Sequence, residues 1–424
     1  MVYPPILFGG FRVTMEFNTL DDIDMYEKTV LLRVDFNMPL DKDTKKILDT
    51  TRMIRVLPTL QDLISTKAKI VIIAHQGRKG SWDFTSMQQH AATLESILGH
   101  DVRFIDDIDG ERAQTAIKEM QPGDILFLDN VRKLDYETEK KSAEEHAQTP
   151  FVQHLSALAD VFVNDAFAAA HRPQCSLIGF TPVLTSAAGR LMEKEVRTLS
   201  QVMQHPDKPC MFLFGGAKFS DIIVTIERVL QNNTADHILL TGLPANAFLK
   251  AKGYDLGKAN ETLLKEEGTP ELFQEIKELV ENYEEVLSLP VDFAIEEDKQ
   301  RKEIQREALP SDQPLYDIGS DTIHAYTRML SQAKTIFLSG PCGVFENPLF
   351  MKGTEEIFKF VAQSDAFSIV GGGHTVAAVT RLGLEEDVSH ISTGGGSLEK
   401  FMMGEKLPVI EALKMSKQRH VVTS

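Results

Sequence analysis

The sequence predicts an α/β protein of two domains, each built on a mostly parallel sheet covered by helices on both faces. Three observations predict it. The chain has 424 residues, and one core rarely organises more than about 250–300, so two domains of roughly 200 residues are expected. Short apolar, β-branched runs recur, about six in each half, with helical spacing between them, the pattern of strands alternating with helices. Several runs are apolar at consecutive positions, as in strands buried on both faces.

In the first half the strand candidates are KTVLLRVDF, AKIVIIAH, DVRFI, GDILFLDN, ADVFVND and CSLIGF. In the second half they are KPCMFLFGG, DHILLTG, EVLSLPVDF, AKTIFLSGP, AFSIVGGG and SHISTGGG. RMIRVLPTLQDLI (52–64) and SDIIVTIERVLQ (220–231) have helical spacing. SAAGRLMEKEVRTLSQVMQH (186–205) also reads as helical and marks the divide. The expected boundaries are 1–187 for the first domain, 188–205 for a linking helix, 206–402 for the second domain and 403–424 for a final segment. EEDKQRKEIQRE (296–307) reads as a solvated surface segment.

Composition narrows the function. Lys and Arg number 45 against 62 Asp and Glu, a net charge of −17. That balance disfavours nucleic acid or an anionic membrane as partner and requires a locally basic cleft for any anionic ligand. Cys175, Cys210 and Cys342 are far apart and form no CxxC, which argues against a disulfide framework or zinc site. No run approaches ~18 apolar residues and no secretory pattern is present, so a soluble cytoplasmic protein is expected.

Ligands of open parallel sheets bind beyond the carboxyl ends of the strands. In the first half these ends carry cations. Arg33 sits in LLRVDFN with Asp35 and Asn37, while Leu32, Val34 and Phe36 alternate onto the opposite face. His75 and Arg78 follow the second run, Arg132 the fourth, and His171 and Arg172 the fifth; Arg52 opens a helix. Any one arginine by itself reads more readily as a surface residue or a structural ion pair. Several delivered to one end of a sheet repel one another and lose hydration unless an anion joins them, and guanidinium forks suit phosphate and carboxylate. The site suits a small hydroxylated, phosphorylated acid.

The second half carries glycine loops: LFGGAKFSD (213–221), FLSGPCGVFE (337–346), IVGGGHTVAA (369–378) and STGGGSLEKF (392–401). A glycine turn between strand and helix presents backbone N–H groups to phosphate, although a single such turn reads equally as tight packing. Lys218, directly after GGA, is placed as a cation beside a transferring phosphate; its alternative is a solvated loop lysine. There is no G-x-x-x-x-G-K-[ST] and no full G-x-G-x-x-G, which disfavours P-loop and nicotinamide enzymes.

Together RVDFNMP, TRMIRVLPTL, HQGR, LDNVR, VNDAFAAAHR, GFTP, FGGAKFSD, FLKAKGYDLG, LPVDF, GPCGVFE, KGT, GGGHT and SHISTGGGSLE resemble, in order and over residues 28 to 410, the phosphoglycerate kinase family. The resemblance implies two Rossmann-like three-layer αβα domains flanking a deep hinge cleft. It places 3-phosphoglycerate or 1,3-bisphosphoglycerate on the first half and ADP or ATP with Mg²⁺ on the second. It implies a monomer whose final segment returns to the first domain. Residue by residue, it assigns the acceptor side to Asp35, Asn37, Arg52, His75, Arg78, Arg132 and Arg172. The nucleotide side receives Lys218, Gly319, Pro341, Glu346, Gly371, Gly372, Gly373, His374 and Thr375. Arg52 and Lys218 are the catalytic pair, meeting on the moving phosphoryl group when the cleft closes.

The sequence also departs from the family's common pattern. Ile222 stands where a second lysine often follows Lys218, His374 replaces an aspartate tied to the metal, and Gln174 replaces a histidine. TGLP (241–244) replaces an adenine-side GGGM, and the last glycine loop is one residue shorter. These changes resemble a divergent, archaeal-type branch and leave the metal ligand unassigned. The rival readings are a nicotinamide dehydrogenase and a catalytically inactive nucleotide-binding regulator.

Overall fold

The computed structural model describes residues 14–421. The chain forms two compact units. One comprises the described residues up to Thr198 together with the segment from Glu405 onward; the other is Leu199–Gly404. The division falls inside the helix Arg190–Gln204. The first thirteen and last three residues of the expected domains lie outside the described residues.

The first unit holds six strands, β1 (Thr29–Arg33), β2 (Lys69–Ile73), β3 (Arg103–Ile105), β4 (Ile125–Leu128), β5 (Val161–Asn164) and β6 (Thr185–Ala188), in the order β3-β4-β2-β1-β5-β6. All pairs are parallel. Side chains alternate across a strand, and both faces are apolar. Val30, Leu32, Ile70, Ile72, Phe127 and Val163 pack into one core, joined by Val34 and Phe36 beyond the end of β1. Leu31, Val71, Ile73, Leu126, Leu128 and Phe162 pack into another on the opposite face. That double burial makes the unit three-layered.

The second unit repeats the plan with β7 (Cys210–Phe214), β8 (His237–Leu240), β9 (Leu287–Ser288), β13 (Thr335–Ser339), β14 (Phe367–Gly371) and β15 (His390–Ile391) in the order β15-β14-β13-β7-β8-β9, all parallel. One face packs Met211, Leu213, Leu239, Ile336, Leu338 and Val370. On the other, the rings of Phe212, Phe214 and Phe337 meet at centroid distances of 5.3–6.4 Å. β10 (Asp292–Glu297), β11 (Gln300–Gln305) and β12 (Asp317–Ile318) form a separate antiparallel sheet. EEDKQRKEIQRE is mostly exposed, as expected of a solvated surface segment, and lies in the hairpin of β10 and β11.

Two expectations fail in one stretch. CSLIGF is not a strand: Cys175–Ile178 is a short, fully buried helix. The sixth strand is β6, TSAA, inside the stretch read as helix, which begins only at Arg190. A short apolar run does not distinguish a buried helix from a buried strand, and TSAA carries almost no β-branched signal. The helix Pro408–Val421 packs on β6 and on Cys175–Ile178.

Candidate active site

In each unit the chain order reverses beside the first strand, between β1 and β5 and between β7 and β13. Such switch points open a crevice beyond the strand ends; Asp35 and Asn37 follow β1 and Arg172 follows β5 at the first, and Lys218 follows β7 and Pro341 follows β13 at the second.

In the first unit the loop after β1 turns polar groups toward the loop after β2. Asn37 Oδ1 accepts from Gly77 N–H at 2.9 Å. Gln76, fully buried, accepts from Met38 N–H at 2.8 Å and donates to Met38 O at 3.1 Å. Gly77 has φ +66°, and a Cβ there would lie 2.6 Å from the Asp83 backbone, so this turn requires glycine. Asp35 Oδ2 faces Arg52 Nη1 at 2.5 Å, and Asp35 Oδ1 accepts from Asn37 N–H at 3.1 Å. Burial pushes the Asp35 carboxyl up, but Arg52, His75 and Arg33 outweigh it and hold its pKa at about 2.

Arg132, in the turn Val131–Lys133 after β4, donates to Gly77 O, and its Nε is buried without a hydrogen-bond partner. Burial, with Arg172 and Arg33 beside it, lowers its pKa to about 10. Arg172 Nε donates to His171 Nε2 at 3.2 Å. Burial, with Arg33, Arg132 and Arg172 acting against Asp35, drives the His75 imidazole well below its ordinary pKa. Arg78 is exposed, and its guanidinium has no protein partner among the described residues. Arg33, Arg132, Arg172, His75, Asp35 and Arg52 thus share one field. Asp35 and Glu137 are the carboxylates that act on the Arg132 guanidinium.

In the second unit the glycine loops after β7, β13 and β14 interlock. Gly216 N–H donates to Pro341 O at 2.8 Å. Gly340, at φ +94°, would place a Cβ 2.1 Å from Gly215 O. Its N–H donates to Thr375 Oγ1 at 2.7 Å, so the buried Thr375 hydroxyl ties the β13 loop to the start of the helix Gly373–Leu382. Gly371 ends β14, Gly372 has φ +87°, and a Cβ on Gly373 would meet nothing within 4 Å. Lys218 is exposed just before the helix Ser220–Gln231, where Ile222 is half-buried. Burial and Asp221 push the Glu399 carboxyl up, with Lys218 opposing.

Gly319 precedes the helix Ser320–Leu330, but that helix end already holds an anion. Asp292 accepts from Asp321 N–H at 2.9 Å and Thr322 N–H at 2.8 Å. A Cβ on Gly319 would lie 2.2 Å from this carboxylate, so close packing alone accounts for the glycine.

His374, in the first turn of Gly373–Leu382, is 82% exposed, with Nδ1 3.8 Å from Glu346 Oε1. An imidazole at the positive end of a helix is a poor ligand for Mg²⁺, which demands oxygen. No group of three or more His, Cys, Asp or Glu among the described residues could hold a metal. The donor set does not fit a protein-held Mg²⁺.

The sequence did not point to Glu137, Ser176 or Asp165, all buried behind the first group. Glu137 lies in the polar stretch YETEKK, where nothing in composition distinguishes a buried carboxylate from solvated neighbours.

A family model described as phosphoglycerate kinase matches residues 20–405. The phosphoglycerate kinase of Methanobacterium bryantii is 44% identical over 407 residues, covering 96% of this chain and 99% of that protein. That of Methanothermus fervidus is 43% identical, covering 95% and 98%. The crystal structure of phosphoglycerate kinase from Pyrococcus horikoshii OT3 superposes with a TM-score of 0.84 at 40% identity, covering 95% of this chain and 99% of that one.

Proposed function

The chain belongs to the phosphoglycerate kinase family, and from that premise we infer that it transfers a phosphoryl group reversibly between 1,3-bisphosphoglycerate and ADP, giving 3-phosphoglycerate and ATP. It is a kinase of glycolysis and gluconeogenesis with a carboxyl group as acceptor. The single observation that carries the site assignment is Arg132: a nearly buried guanidinium with an unpartnered Nε, among other arginines. An unpaired buried donor of this kind is costly without an anionic oxygen to receive it.

In this reading Arg78, Arg132, Arg172 and His75 hold the phosphate and carboxylate of the three-carbon acid, with Asp35 and Asn37 toward its hydroxyl. The interlocked loops at Gly371–Gly373 and Pro341, with Glu346, face the nucleotide, whereas Gly319 packs on the Asp292 carboxylate. The acceptor carboxylate is already ionised and needs no base, so catalysis consists of positioning and of stabilising charge on the moving group. Arg52 and Lys218 supply that charge, and they act together only when the hinge closes, which also keeps water from the acyl phosphate. Mg²⁺ would neutralise charge on the nucleotide phosphates; no residue here is assigned as its ligand and no step is routed through it. The reading extends to a cytoplasmic monomer. No helix among the described residues is long and apolar enough to cross a membrane.

The test is a coupled assay for ADP formation from 3-phosphoglycerate and ATP. Turnover in the ordinary range of about 1–100 s⁻¹ for kinases is expected; a folded protein that binds ADP without turnover overturns the reading.

A further inference from the structure

Arg33 is among the largest side chains with no solvent exposure, and each of its donor nitrogens is committed. Nε donates to Ser176 Oγ at 2.9 Å, Nη1 to Val34 O, and Nη2 meets His75 Nδ1 at 2.9 Å. Ser176 in turn donates its hydroxyl to Glu137 Oε1 at 2.6 Å and its backbone N–H to Glu137 Oε2 at 2.8 Å. Arg33, Ser176 and Glu137 are all 0% exposed and His75 is 1% exposed, so water cannot exchange for these partners.

One proton assignment satisfies every bond. The Glu137 carboxylate accepts twice, the Ser176 hydroxyl donates to it, and the hydroxyl's lone pair accepts from Arg33. A guanidinium has donors only, so His75 Nδ1 must be bare and the ring proton must sit on Nε2. No protein acceptor takes that Nε2–H among the described residues. The charged groups acting on the ring are Asp35, Arg33, Arg132 and Arg172. A second proton on Nδ1 would also break the Arg33 bond.

We propose that Arg33, clamped by Ser176 and Glu137, is a positioning residue that fixes the His75 proton on Nε2, so that the ring donates a hydrogen bond to an anionic oxygen of the three-carbon substrate. The proposal rests on placing His75 at the substrate side. The opposite tautomer would present a lone pair to that oxygen and turn attraction into repulsion. A buried ion pair is weak evidence of stabilisation, because desolvation offsets its Coulombic gain; the tautomer lock gives this one a use. It also accounts for the polar end of β1: Arg33 faces inward to set the ring while Asp35 and Asn37 serve the loop surface.

The test is ¹⁵N-edited NMR of the histidine rings in the full-length protein from pH 5.5 to 8.5, with the His75 signal assigned by loss in His75→Gln. A bare Nδ1 and protonated Nε2 throughout are expected; a ring protonated on Nδ1, or one that titrates in this range, overturns the proposal. Ser176→Ala and Glu137→Gln free Arg33, so a mixed-tautomer signal is expected. The KM for 3-phosphoglycerate should then rise about tenfold, the size of one lost charge-assisted hydrogen bond, with nucleotide KM and kcat within about twofold. An unchanged ring with a uniform loss of activity would mark a purely structural role and overturn the proposal. In the wild type, 3-phosphoglycerate should shift the Nε2–H resonance. A locked ring that ignores the substrate removes His75 from the substrate side, whereas a coupled assay without turnover fails the reaction itself.

Discussion

Arg52 Nη1 lies 2.5 Å from Asp35 Oδ2, so the arginine expected to meet the moving phosphoryl group is already held by a carboxylate. Asp35 is nearly buried, while the Arg52 side chain is 39% exposed. The pairing fixes the guanidinium near the end of β1 without occupying its other donors.

The pH dependence of this pair has a definite sign. Asp35 titrates at about 2 in the folded chain, below its unfolded value of about 3.9. Its contribution is present above the unfolded value and is lost as pH falls through the folded one. The size is at most about 2.6 kcal/mol, reduced further by solvent screening at the exposed Arg52. Urea unfolding at pH 5 and pH 3 should show about half of that loss in wild type and none of it in Asp35→Asn. The same variant should raise the 3-phosphoglycerate KM by about tenfold, as expected for a lost charged hydrogen bond. Parallel stability curves for the two proteins would refute the assignment.

Lys218 is exposed and forms no tight ion pair among the described residues; its charge acts on Glu399, opposing the rise of that carboxyl. A cation with no tight protein partner remains available to an anionic group that comes beside it. Lys218→Ala should therefore lower kcat by about 10²–10³, the usual effect of one lost preorganised donor, with little change in nucleotide KM. Steady-state kinetics decides it, and equal kcat removes Lys218 from the chemistry.

His374 stands beside Glu346 at the start of Gly373–Leu382. Replacing it with aspartate puts a carboxylate in place of an imidazole, and hard Mg²⁺ favours oxygen. In His374→Asp the Mg²⁺ concentration giving half-maximal rate should fall, and ADP binding should become more sensitive to EDTA. Superimposable Mg²⁺ titrations would show that position 374 has no influence on the metal.

Gly340 offers a stricter test of the interlocked loops. Alanine there is strained at φ +94° and collides with Gly215 O. Gly340→Ala should cost stability by more than about 1 kcal/mol and weaken ADP binding, measured by urea unfolding and calorimetry. Unchanged ADP affinity would separate these loops from the nucleotide.

Much of this was legible because it follows from local chemistry. The central strands of both sheets are buried on both faces, so their sequences are continuously apolar, and the cations and glycines at their ends interrupt the pattern visibly. Cys175–Ile178 and TSAA were not legible. A buried four-residue segment carries no period, and β6 consists of small residues against which the final helix packs. At the candidate site, the arginines stood out by charge, whereas Glu137 and Ser176 did not. Their importance lies in partners 143 and 39 residues apart in the chain, which only the fold brings together.

Asp165, another such residue, gives a pH effect of the opposite sign. It follows β5 and takes a hydrogen bond from Thr59 Oγ1 at 2.6 Å and from Met192 N–H at 2.9 Å, at the start of the helix Arg190–Gln204. Burial raises its carboxyl to about 6, against these bonds and Arg190. A carboxyl whose folded pKa lies above the unfolded one contributes stability that is full below about 3.9 and is lost as pH rises through about 6. The amount is at most about 3 kcal/mol. Asp317, raised to about 6 by its own burial, has the same sign, so wild type alone cannot separate them. The difference between wild type and Asp165→Asn can, because Asp317 is common to both. That difference should be large near pH 4.5 and shrink by pH 7 in urea unfolding. A difference independent of pH would mean that Asp165 is ionised throughout and that its hydrogen bonds, rather than its burial, set its charge.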